Sequence, residues 1–386
     1  MDNKFIPYGS QWVDEDDIEA VTKILKSDFL TTGPKIEEFE EKFAKYVDAE
    51  YAVSIANGTA ALHAACFAAG ISKGDEVITT PITFAATANS VLYQGGTPVF
   101  ADIDEKTYNI APKSIEENIT NKTKAVIPVH YTGQPCDMDE IMKMSDKYDL
   151  TVIEDGAHAL GATYKHDKIG SIGDMTTFSF HPVKHITTGE GGMVTTDSKV
   201  LYNRLKKFRT HGITKNHQNY INESDGPWYY EQQMLGFNYR MTDIQCALGI
   251  SQLKKAEQFL KRRREIAERY NNAFKDLEGL IIPYQKRDRN SSWHIYVIQL
   301  EVDKLSENRE VVFRRLRNNN LGVNVHYIPV YYHPYYQSKG YKKGICINAE
   351  NLYEKIITLP IYPKMSEKEV DIVIKKVCQS IRDLKK

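Results

Sequence analysis

The chain has 386 residues, enough for two domains that each bury a core. Its 50 basic and 51 acidic residues leave a formal net charge of −1 at pH 7, so composition gives no electrostatic reason to expect nucleic acid or an acidic membrane as a partner. No apolar run approaches the roughly 18–20 residues that span a bilayer, and the first residues lack an apolar signal core. The five cysteines are widely spaced, without a CxxC pair, which is typical of reduced thiols. We therefore expect a soluble, cytoplasmic protein.

The predicted elements begin with two amphipathic helices at 14–27 and 36–47, where apolar residues recur at helical spacing. From residue 51, short apolar runs alternate with helical patterns. The predicted strands are YAVSIA, DEVITTP, TPVFADI, KAVIPVH, LTVIED, TTFSF and MVTT. Continuous apolar strands that alternate with helices favour a parallel sheet covered by helices on both faces. The predicted fold class is therefore α/β.

The C-terminal part has a different pattern. Residues 241–276 form a long helical pattern with at most a break near Gly249, which we interpret as a connector between domains. Beyond it, SWHIYVIQL, GVNVHYIPV, a helix near 307–319 and a terminal helix from Ser366 predict a smaller α+β domain. The stretch 213–236 is long for a loop and is expected to be a lid or an arm that contacts a partner. The predicted division is an N-terminal segment 1–30, a large domain 31–250 and a small domain 251–386.

Ligands of open α/β sheets collect beyond the carboxyl ends of strands, and four predicted strand ends carry suitable residues. ANGTAAL places Gly58 and Thr59 at the start of a small-residue helix, where backbone N–H groups suit a phosphate. The alternative is an ordinary helix start capped by Asn57 or Thr59. In ITTPITFAATANS, Phe84 could lie flat on a planar ring or belong to the core.

The other two strand ends carry ionisable side chains. In VIEDGAHALG, Asp155 could hold a ring nitrogen protonated or cap the next helix, and His158 follows one turn later. In SFHPVKHITTGEGG, Lys184 could form a Schiff base or be an ordinary surface lysine, and Ser179 could bind a phosphate. Together the four ends supply a phosphate cradle, a stacking ring, a carboxylate for a pyridinium and a lysine. Pyridoxal phosphate requires this set of groups.

Other ligand motifs fail on spacing. GEGG at 189–192 lacks the GxGxxG spacing and precedes a strand, and no Walker loop is present. His181 and His185 are separated by Pro182, which makes a shared helical face improbable, and no HExxH or CxxC supports a metal. No metal is expected.

These segments resemble, nearly end to end, the sugar aminotransferases of the DegT/DnrJ/EryC1/StrS family, which are fold type I pyridoxal phosphate enzymes. The segments that carry the resemblance are FLTTGPKIEEFEEKF, NGTAAL, ITFAATANS, GGTPVFADID, IEDGAHALGA, FSFHPVKHITTGEGG, RTHGI and GFNYRMTDIQCALGISQL. The resemblance implies a large domain with a mixed, mostly parallel sheet between helices, a smaller α+β domain, and a homodimer with shared active sites.

The resemblance also implies roles for single residues. Lys184 would bind the cofactor as a Schiff base and carry protons, Asp155 would pair with the pyridine nitrogen, and Phe84 would cover the ring. His158 stands where many members have glutamine, and would contact the cofactor's ring oxygen. The residues expected around the phosphate are Asn57, Gly58, Thr59 and Ser179, joined by Asn238 of the other subunit.

Within the family the chain most resembles the aminotransferases of pseudaminic acid biosynthesis, through ITFAATANS, AHALG, FHPVKHITT and VNVHYIPVYYHPYYQ. The resemblance implies transfer of the amino group of L-glutamate to C4 of a UDP-linked 4-keto-6-deoxy-N-acetylhexosamine of altrosamine type. The expected substrate contacts are Tyr8, Asp28, Phe29, Leu30, Thr31, Asn57, Asn238, His326 and Tyr327. For the aromatic residues of 323–337 the alternative is a tyrosine-rich domain surface. Arg240 is a candidate for the carboxylates of glutamate.

Three other functions remain as alternatives. The first is 4-amination of another nucleotide-linked 4-keto-6-deoxyhexose, as in perosamine or bacillosamine pathways. The second is the pyridoxamine-dependent dehydratase branch of the family, whose members have histidine at the lysine position, so Lys184 argues against it. The third is a non-enzymatic role for the fold, which would require loss of cofactor-site residues, and all of them are present.

Overall fold

The computed structural model describes residues 4–386, so the first three residues of the predicted N-terminal segment 1–30 lie outside the described part. The helices are α1 Glu15–Leu25, α2 Pro34–Val47, α3 Gly58–Ala68, α4 Ala86–Tyr93, α5 Pro112–Glu117, α6 Met138–Tyr148, α7 Lys199–Arg209, α8 Asp243–Leu253, α9 Ala256–Phe274, α10 Arg309–Asn318, α11 Pro334–Ser338, α12 Ile347–Tyr353 and α13 Glu367–Asp383. Within residues 4–386, no helix is long and apolar enough to cross a membrane.

The strands are short and mostly buried. They are β1 Tyr51–Ile55, β2 Glu76–Thr79, β3 Thr97–Phe100, β4 Thr123–Ile127, β5 Thr151–Asp155, β6 Thr163–Tyr164, β7 Asp167–Lys168, β8 Met175–Ser179, β9 Gly192–Thr196, β10 Ile213–Thr214, β11 Glu231–Gln232, β12 Leu280–Ile281, β13 Arg289–Asn290, β14 Tyr296–Leu300 and β15 Ile356–Leu359.

Seven strands form the central sheet, in the order β1-β9-β8-β5-β4-β2-β3. The strands from β8 to β3 are parallel, and β9 runs antiparallel to both of its neighbours. Because two successive antiparallel pairings restore direction, β1 runs the same way as β8. The carboxyl ends of β1, β2, β5 and β8 therefore lie at one edge of the sheet, and the predicted mixed, mostly parallel α/β sheet is confirmed.

Adjacent residues of each central strand enter different cores, because side chains alternate across a sheet. Val152 of β5 belongs to a cluster with α2, α6 and α8. Ile153 belongs to a cluster with the alanine-rich α3 and with Phe208 of α7. Helices thus cover both faces, which explains why the strands are apolar without alternation.

The C-terminal part has its own core. The antiparallel sheet β12-β14-β15 packs with α9, α10 and α13, and Ile6 from the N-terminal segment joins this cluster. The predicted break near Gly249 is wrong, because the helical run is interrupted at 254–255, between α8 and α9. A Cβ at Gly249 would lie 2.6 Å from Cζ of Phe39, so this glycine permits close helix packing. The domain boundaries at 30/31 and 250/251 stay predictions.

The segment GVNVHYIPV, residues 322–330, contributes no strand to the small α+β domain. In this stretch only Asn324 forms a bridge, to Thr358, and the strand that pairs with β14 is β15. Pro329 interrupts the pattern because proline cannot donate to a sheet ladder. The stretch instead forms one wall of the cavity described below.

Residues 213–236 form a compact excursion that β10 and β11 close as a two-stranded ladder. The carboxylate of Glu231 accepts hydrogen bonds from the N–H groups of Ile221 and Asn222 and from the side chains of Tyr229 and Gln233. The outer surface exposes large apolar side chains, with Trp228 73 % and Leu235 78 % exposed. Both interpretations of residues 213–236, as a lid and as an arm that contacts a partner, stay open.

Candidate active site

A cavity of about 860 Å³ lies at the edge where the carboxyl ends of β1, β5 and β8 meet. The residues predicted to bind cofactor or substrate that line this cavity are Tyr8, Asn57, Gly58, Thr59, Phe84, Asp155, His158, Ser179, Lys184, His326 and Tyr327. They come from the N-terminal segment, four strand ends of the central sheet and the 322–330 stretch. The fold therefore brings together residues that are up to 319 positions apart in the chain.

Helix α3 directs its N-terminus at this cavity. Asn57 is the N-cap, and its Oδ1 accepts a hydrogen bond from the N–H of Ala60 at 2.9 Å. The N–H groups of Gly58 and Thr59 stand in the first turn, where no intrahelical partner exists. With the helix dipole, these groups favour an anion in the cavity. Asn57 therefore caps the helix, as the alternative interpretation predicted. The N–H groups of Gly58 and Thr59 still remain free to donate to a ligand.

Glycines bring Ser179 next to this helix end. A Cβ on Gly58 would lie 2.7 Å from Cβ of Ser179, so any larger residue at position 58 would push the serine away. A Cβ on Gly192 would lie 2.7 Å from the carbonyl oxygen of Asn57. The close approach places the Ser179 hydroxyl beside the first turn of α3, as a further donor to an anion.

Asp155 ends β5 and is 5 % exposed. Its Oδ2 accepts from the hydroxyl of Thr87 at 2.8 Å, and its Oδ1 accepts from the N–H of Ala157 at 3.1 Å. Asp155 therefore does not cap a following helix, which was the alternative reading. Thr87 and its neighbour Thr83 also line the cavity and were missed by sequence reasoning. Their signal was the i, i+4 pair of threonines that brackets Phe84.

Lys184 lies in the connection between β8 and β9, with its N–H donating to the carbonyl of His181 at 2.9 Å. Burial lowers the pKa of its amine to about 8; Asp155 opposes this shift and the guanidinium of Arg263 adds to it. An amine with this pKa is neutral for a substantial fraction of the time near pH 8. Such an amine can act as a nucleophile or a base.

His158 and Tyr327 both line the cavity and contact each other directly, with Nε2 of His158 3.0 Å from the phenol oxygen of Tyr327. Burial lowers the pKa of His158 well below its ordinary value, and the charge of Lys184 adds to this effect. Among the described residues, Nδ1 of His158 has no hydrogen-bond partner. The ring of His294 packs against it with centroids 4.2 Å apart. His158 is thus a neutral imidazole in a buried histidine cluster.

His326 is held by two neighbours. Nε2 lies 3.3 Å from Nδ2 of Asn324 and Nδ1 lies 2.9 Å from Oγ1 of Thr358. Because the Asn324 amide nitrogen donates, Nε2 accepts and Nδ1 carries the proton. Both ring nitrogens are therefore occupied, and the ring faces that of Tyr8 at 5.2 Å. His326 can shape the cavity wall, but its nitrogens are not free for a ligand.

Phe84 is 64 % exposed at the cavity, so the interpretation of this residue as a core aromatic is wrong. Its ring centroid lies 6.4 Å from that of Tyr327. An exposed aromatic ring beside a cavity is available to stack on a planar ligand. The structure places it at the mouth, opposite the 322–330 stretch.

Some predicted residues lie outside this cavity. Asn238 is exposed and forms a bridge to Thr210, and Arg240 does not line the cavity. The substrate contacts predicted at Asp28, Phe29, Leu30 and Thr31 are likewise exposed and outside it. Among the described lining residues there is no arginine. Sequence reasoning also missed further lining residues: His63, Tyr93, His181, Glu190, Tyr239 and Asn324.

The donors and acceptors of the cavity fit pyridoxal phosphate. Free first-turn N–H groups and the Ser179 hydroxyl suit the phosphate, and the carboxylate of Asp155 suits a protonated ring nitrogen. The exposed ring of Phe84 suits the face of the pyridine, and the amine of Lys184 suits the aldehyde. The residues present therefore match the group that the sequence resemblance implied.

Comparison with known proteins gives a family match. The model of the DegT/DnrJ/EryC1/StrS aminotransferase family matches residues 11–378. Spore coat polysaccharide biosynthesis protein SpsC of Bacillus subtilis is 46 % identical over 386 residues, covering 100 % of this chain and 98 % of the relative. UDP-4-amino-4,6-dideoxy-N-acetyl-beta-L-altrosamine transaminase of Campylobacter jejuni is 38 % identical, covering 95 % of each chain. GDP-perosamine synthase of Escherichia coli O157:H7 is 37 % identical, covering 98 % of each chain.

The fold also matches a solved structure. Helicobacter pylori PseC, an aminotransferase involved in the biosynthesis of pseudoaminic acid, superposes with a TM-score of 0.91 at 32 % identity, covering 99 % of this chain and 100 % of that chain. A match at this level and coverage extends over both the central sheet and the C-terminal core.

Proposed function

Because the chain belongs to the DegT/DnrJ/EryC1/StrS aminotransferase family, we propose that it transfers the amino group of L-glutamate to C4 of a UDP-linked 4-keto-6-deoxy-N-acetylhexosamine. The chain is a pyridoxal phosphate-dependent aminotransferase of the sugar type. The observation that carries the proposal is the convergence of Lys184, Asp155 and the N-terminus of α3 on one cavity. The product would be the altrosamine-type amino sugar of pseudaminic acid biosynthesis.

When bound, pyridoxal phosphate supplies an electron sink and carries the amino group between the two substrates. In each half-reaction Nζ of Lys184 would take a proton from one carbon and return it to another. Its lowered pKa, about 8, keeps a fraction of the amine in the basic form that this work requires. Asp155 would accept the hydrogen bond of the ring nitrogen, and Phe84 would cover the ring.

The cofactor phosphate would be held by the first turn of α3 and by Ser179. We include Asn238 of a second subunit in this set, and therefore a homodimer with shared active sites. Two observations support the dimer. Asn238 and residues 28–31, predicted to bind ligands, lie outside the cavity of their own subunit. Large apolar side chains of residues 213–236, among them Leu235 and Trp228, are exposed, and Leu235 precedes Asn238 by three positions in the chain.

The sugar would face the wall formed by Tyr8, Asn324, His326 and Tyr327. Hydroxyl, amide and aromatic groups of this kind suit a hexose, whose polar rim and apolar ring faces need both types of contact. The likeness of this chain to the altrosamine transaminase and to PseC supports a UDP-linked acetamido sugar.

A second candidate keeps the chemistry and changes the sugar. The likeness to GDP-perosamine synthase, 37 % identical over 381 residues, favours a GDP-linked 4-keto-6-deoxyhexose to nearly the same degree. In both cases the reacting group is a C4 ketone, so the same catalytic residues would serve. The difference would lie in the contacts to the nucleotide and to the C2 substituent.

The test is a competition assay with purified holoenzyme. UDP-linked 4-keto sugars of both C5 configurations and the GDP-linked precursor of perosamine compete for glutamate-dependent amination, and mass spectrometry identifies the products. Preference for the altrosamine-type ketone supports the proposal, whereas preference for the GDP-linked ketone favours the second candidate. Lys184→Ala serves as the control that must abolish turnover. A preparation without the visible absorbance of bound pyridoxal phosphate, or a Lys184→Ala variant that still turns over, contradicts the proposed mechanism.

A further inference from the structure

A short chain of hydroxyl groups holds the carboxylate of Asp155. Oγ1 of Thr87 donates to Oδ2 of Asp155 at 2.8 Å, and Oγ1 of Thr83 lies 2.8 Å from Oγ1 of Thr87. A carboxylate only accepts and a hydroxyl has a single proton, so the proton of Thr87 points to Asp155 and Thr83 donates to Thr87. All three side chains are buried, with Thr87 0 % exposed. The chain therefore has one direction, from Thr83 to Asp155.

The second oxygen of Asp155 has a weaker anchor. Oδ1 accepts from the N–H of Ala157 at 3.1 Å, two residues along the chain. Each carboxylate oxygen has two lone pairs, so one acceptor position on each oxygen remains for a donor in the cavity. The Ala157 bond alone leaves the carboxylate plane free to turn. The bond from Thr87 fixes that plane.

The same segment carries the aromatic ring of the site. Thr83 and Thr87 bracket Phe84, and the N–H of Thr87 donates to the carbonyl oxygen of Phe84 at 3.1 Å. The N-cap of α4, Ala85, makes no side-chain cap hydrogen bond, and the hydroxyls of Thr83 and Thr87 tie this helix start to Asp155. The backbone of Phe84 and the carboxylate of Asp155 thus belong to one hydrogen-bonded unit.

We propose that Thr87, supported by Thr83, is a positioning residue that sets the Asp155 carboxylate toward the cofactor's ring nitrogen. This rests on the role proposed above for Asp155. A hydrogen bond to a charged acceptor is strong, and an acceptor misaligned by a small rotation loses much of its effect on a ring proton. Loss of the Thr87 hydroxyl should therefore act on the chemical step more than on substrate binding.

The test compares Thr87→Val, which keeps the shape and removes the hydroxyl, with Thr87→Ser, which keeps the hydroxyl. Thr79→Val is the matched control, because Thr79 is equally buried and its hydroxyl donates at 2.8 Å to a backbone carbonyl, that of Ile127. Each variant is measured for thermal unfolding without cofactor, affinity of the cofactor-free protein for pyridoxal phosphate, pH dependence of the holoenzyme absorbance, and kcat and KM.

We expect Thr87→Val to lower kcat by about ten- to a hundredfold with little change in KM, and to shift the pH at which the bound cofactor's absorbance changes. Thr87→Ser should restore kcat to within about threefold of wild type, and Thr83→Val should show a smaller loss than Thr87→Val. Thr79→Val should change thermal unfolding only.

A Thr87→Val protein that matches Thr79→Val in absorbance and kcat overturns the proposal, as does a Thr87→Ser protein no better than Thr87→Val. If Thr87→Val does not fold, Thr83→Val decides: absorbance and kcat equal to wild type then count against positioning. Asp155→Asn, measured in parallel, tests the underlying assumption that Asp155 acts on the cofactor's ring nitrogen. An active Asp155→Asn variant removes the proposed role of Asp155, whereas an inactive one beside a fully active Thr87→Val removes only the positioning role.

Discussion

The phenol oxygen of Tyr327 lies 3.0 Å from Nε2 of His158, and this contact joins the 322–330 stretch to the loop that follows β5. His158 is buried and Tyr327 is half-buried, and burial raises the pKa of the Tyr327 hydroxyl while it lowers that of His158. Both groups therefore stay uncharged at neutral pH. The two residues were assigned separately by sequence, one to the cofactor and one to the substrate, and the structure makes them a hydrogen-bonded pair.

Tyr327→Phe should lower kcat/KM for the keto sugar about tenfold, because it leaves Nε2 of His158 without a partner and removes a polar group from the sugar wall. Affinity for pyridoxal phosphate should change much less, since the phosphate contacts proposed at the first turn of α3 and at Ser179 do not include Tyr327. Steady-state kinetics and cofactor titration measure the two effects.

A matched control is Tyr296→Phe. Its hydroxyl also makes one part-buried hydrogen bond, to Oδ1 of Asn271 at 2.7 Å, but the residue lies outside the cavity. We expect Tyr296→Phe to lose stability with unchanged kcat/KM. Equal kinetic losses in the two variants would mean that the Tyr327 hydroxyl serves packing only.

The lowered pKa of Lys184 predicts its reactivity in the cofactor-free protein. Only the neutral amine attacks an acylating reagent, so the rate of Lys184 modification should rise about tenfold per pH unit below pH 8 and level off above it. Peptide mapping by mass spectrometry follows the site, and exposed lysines in the same digest provide the comparison. A rate that still climbs tenfold per unit between about pH 9 and pH 10 would contradict this prediction.

Arg263 is fully buried in α9, and its Nη1 donates to the carbonyl oxygens of Trp293, His294 and Ile361. Its charge contributes to the low pKa of Lys184. Arg263→Met should destabilise the fold by about 2–4 kcal/mol because three buried carbonyls lose their donor. It should also raise the pKa of Lys184, because removal of a neighbouring positive charge favours the protonated amine.

The acylation profile of Lys184 and urea unfolding check these two effects. Tyr270→Phe is the control, since Tyr270 also lies on α9 and donates from its buried hydroxyl to the carbonyl of Pro360 at 2.8 Å. Tyr270→Phe should destabilise the protein without changing the pH dependence of Lys184 acylation. If Arg263→Met moves the profile no more than Tyr270→Phe does, Arg263 has only a structural role.

The sequence predicted which strand ends line the cavity, because the information for those positions is local. Asp155 and Ser179 are the last residues of apolar strands, and parallel strands bring such ends together whatever the rest of the chain does. Thr87 could not be paired with Asp155 in this way. The two are 68 positions apart, and their contact depends on where the fold places the start of α4 relative to the end of β5.

The outcomes at 322–330 and at Gly249 have a different cause. The pattern of 322–330 is β-branched and aromatic, and local propensity for a strand was overridden by tertiary contacts that place it along the cavity. Its true neighbour in the sheet, β15, is a four-residue strand that no alternation marks. Gly249 suggested a break because glycine has a low helix propensity. Its presence inside α8 is instead explained by the close packing of this helix against Phe39.

The proposed shared site predicts complementation between two inactive variants. Lys184→Ala removes the reacting amine, and Asn238→Ala removes a phosphate ligand that we assign to the opposite subunit. In a mixed dimer one site then carries both changes and the other carries none. Random mixing of equal amounts should therefore restore about a quarter of wild-type activity, because half of the dimers are mixed and each has one intact site of two.

Separately tagged subunits and tandem purification isolate the mixed dimer for the activity assay. The control mixes Lys184→Ala with the Lys184→Ala, Asn238→Ala double variant, in which no intact site can form. Residual turnover in that control sets the background. A purified mixed dimer that stays at this background would show that each site uses the Asn238 of its own subunit. A fully active Asn238→Ala protein would remove this residue from the proposed site.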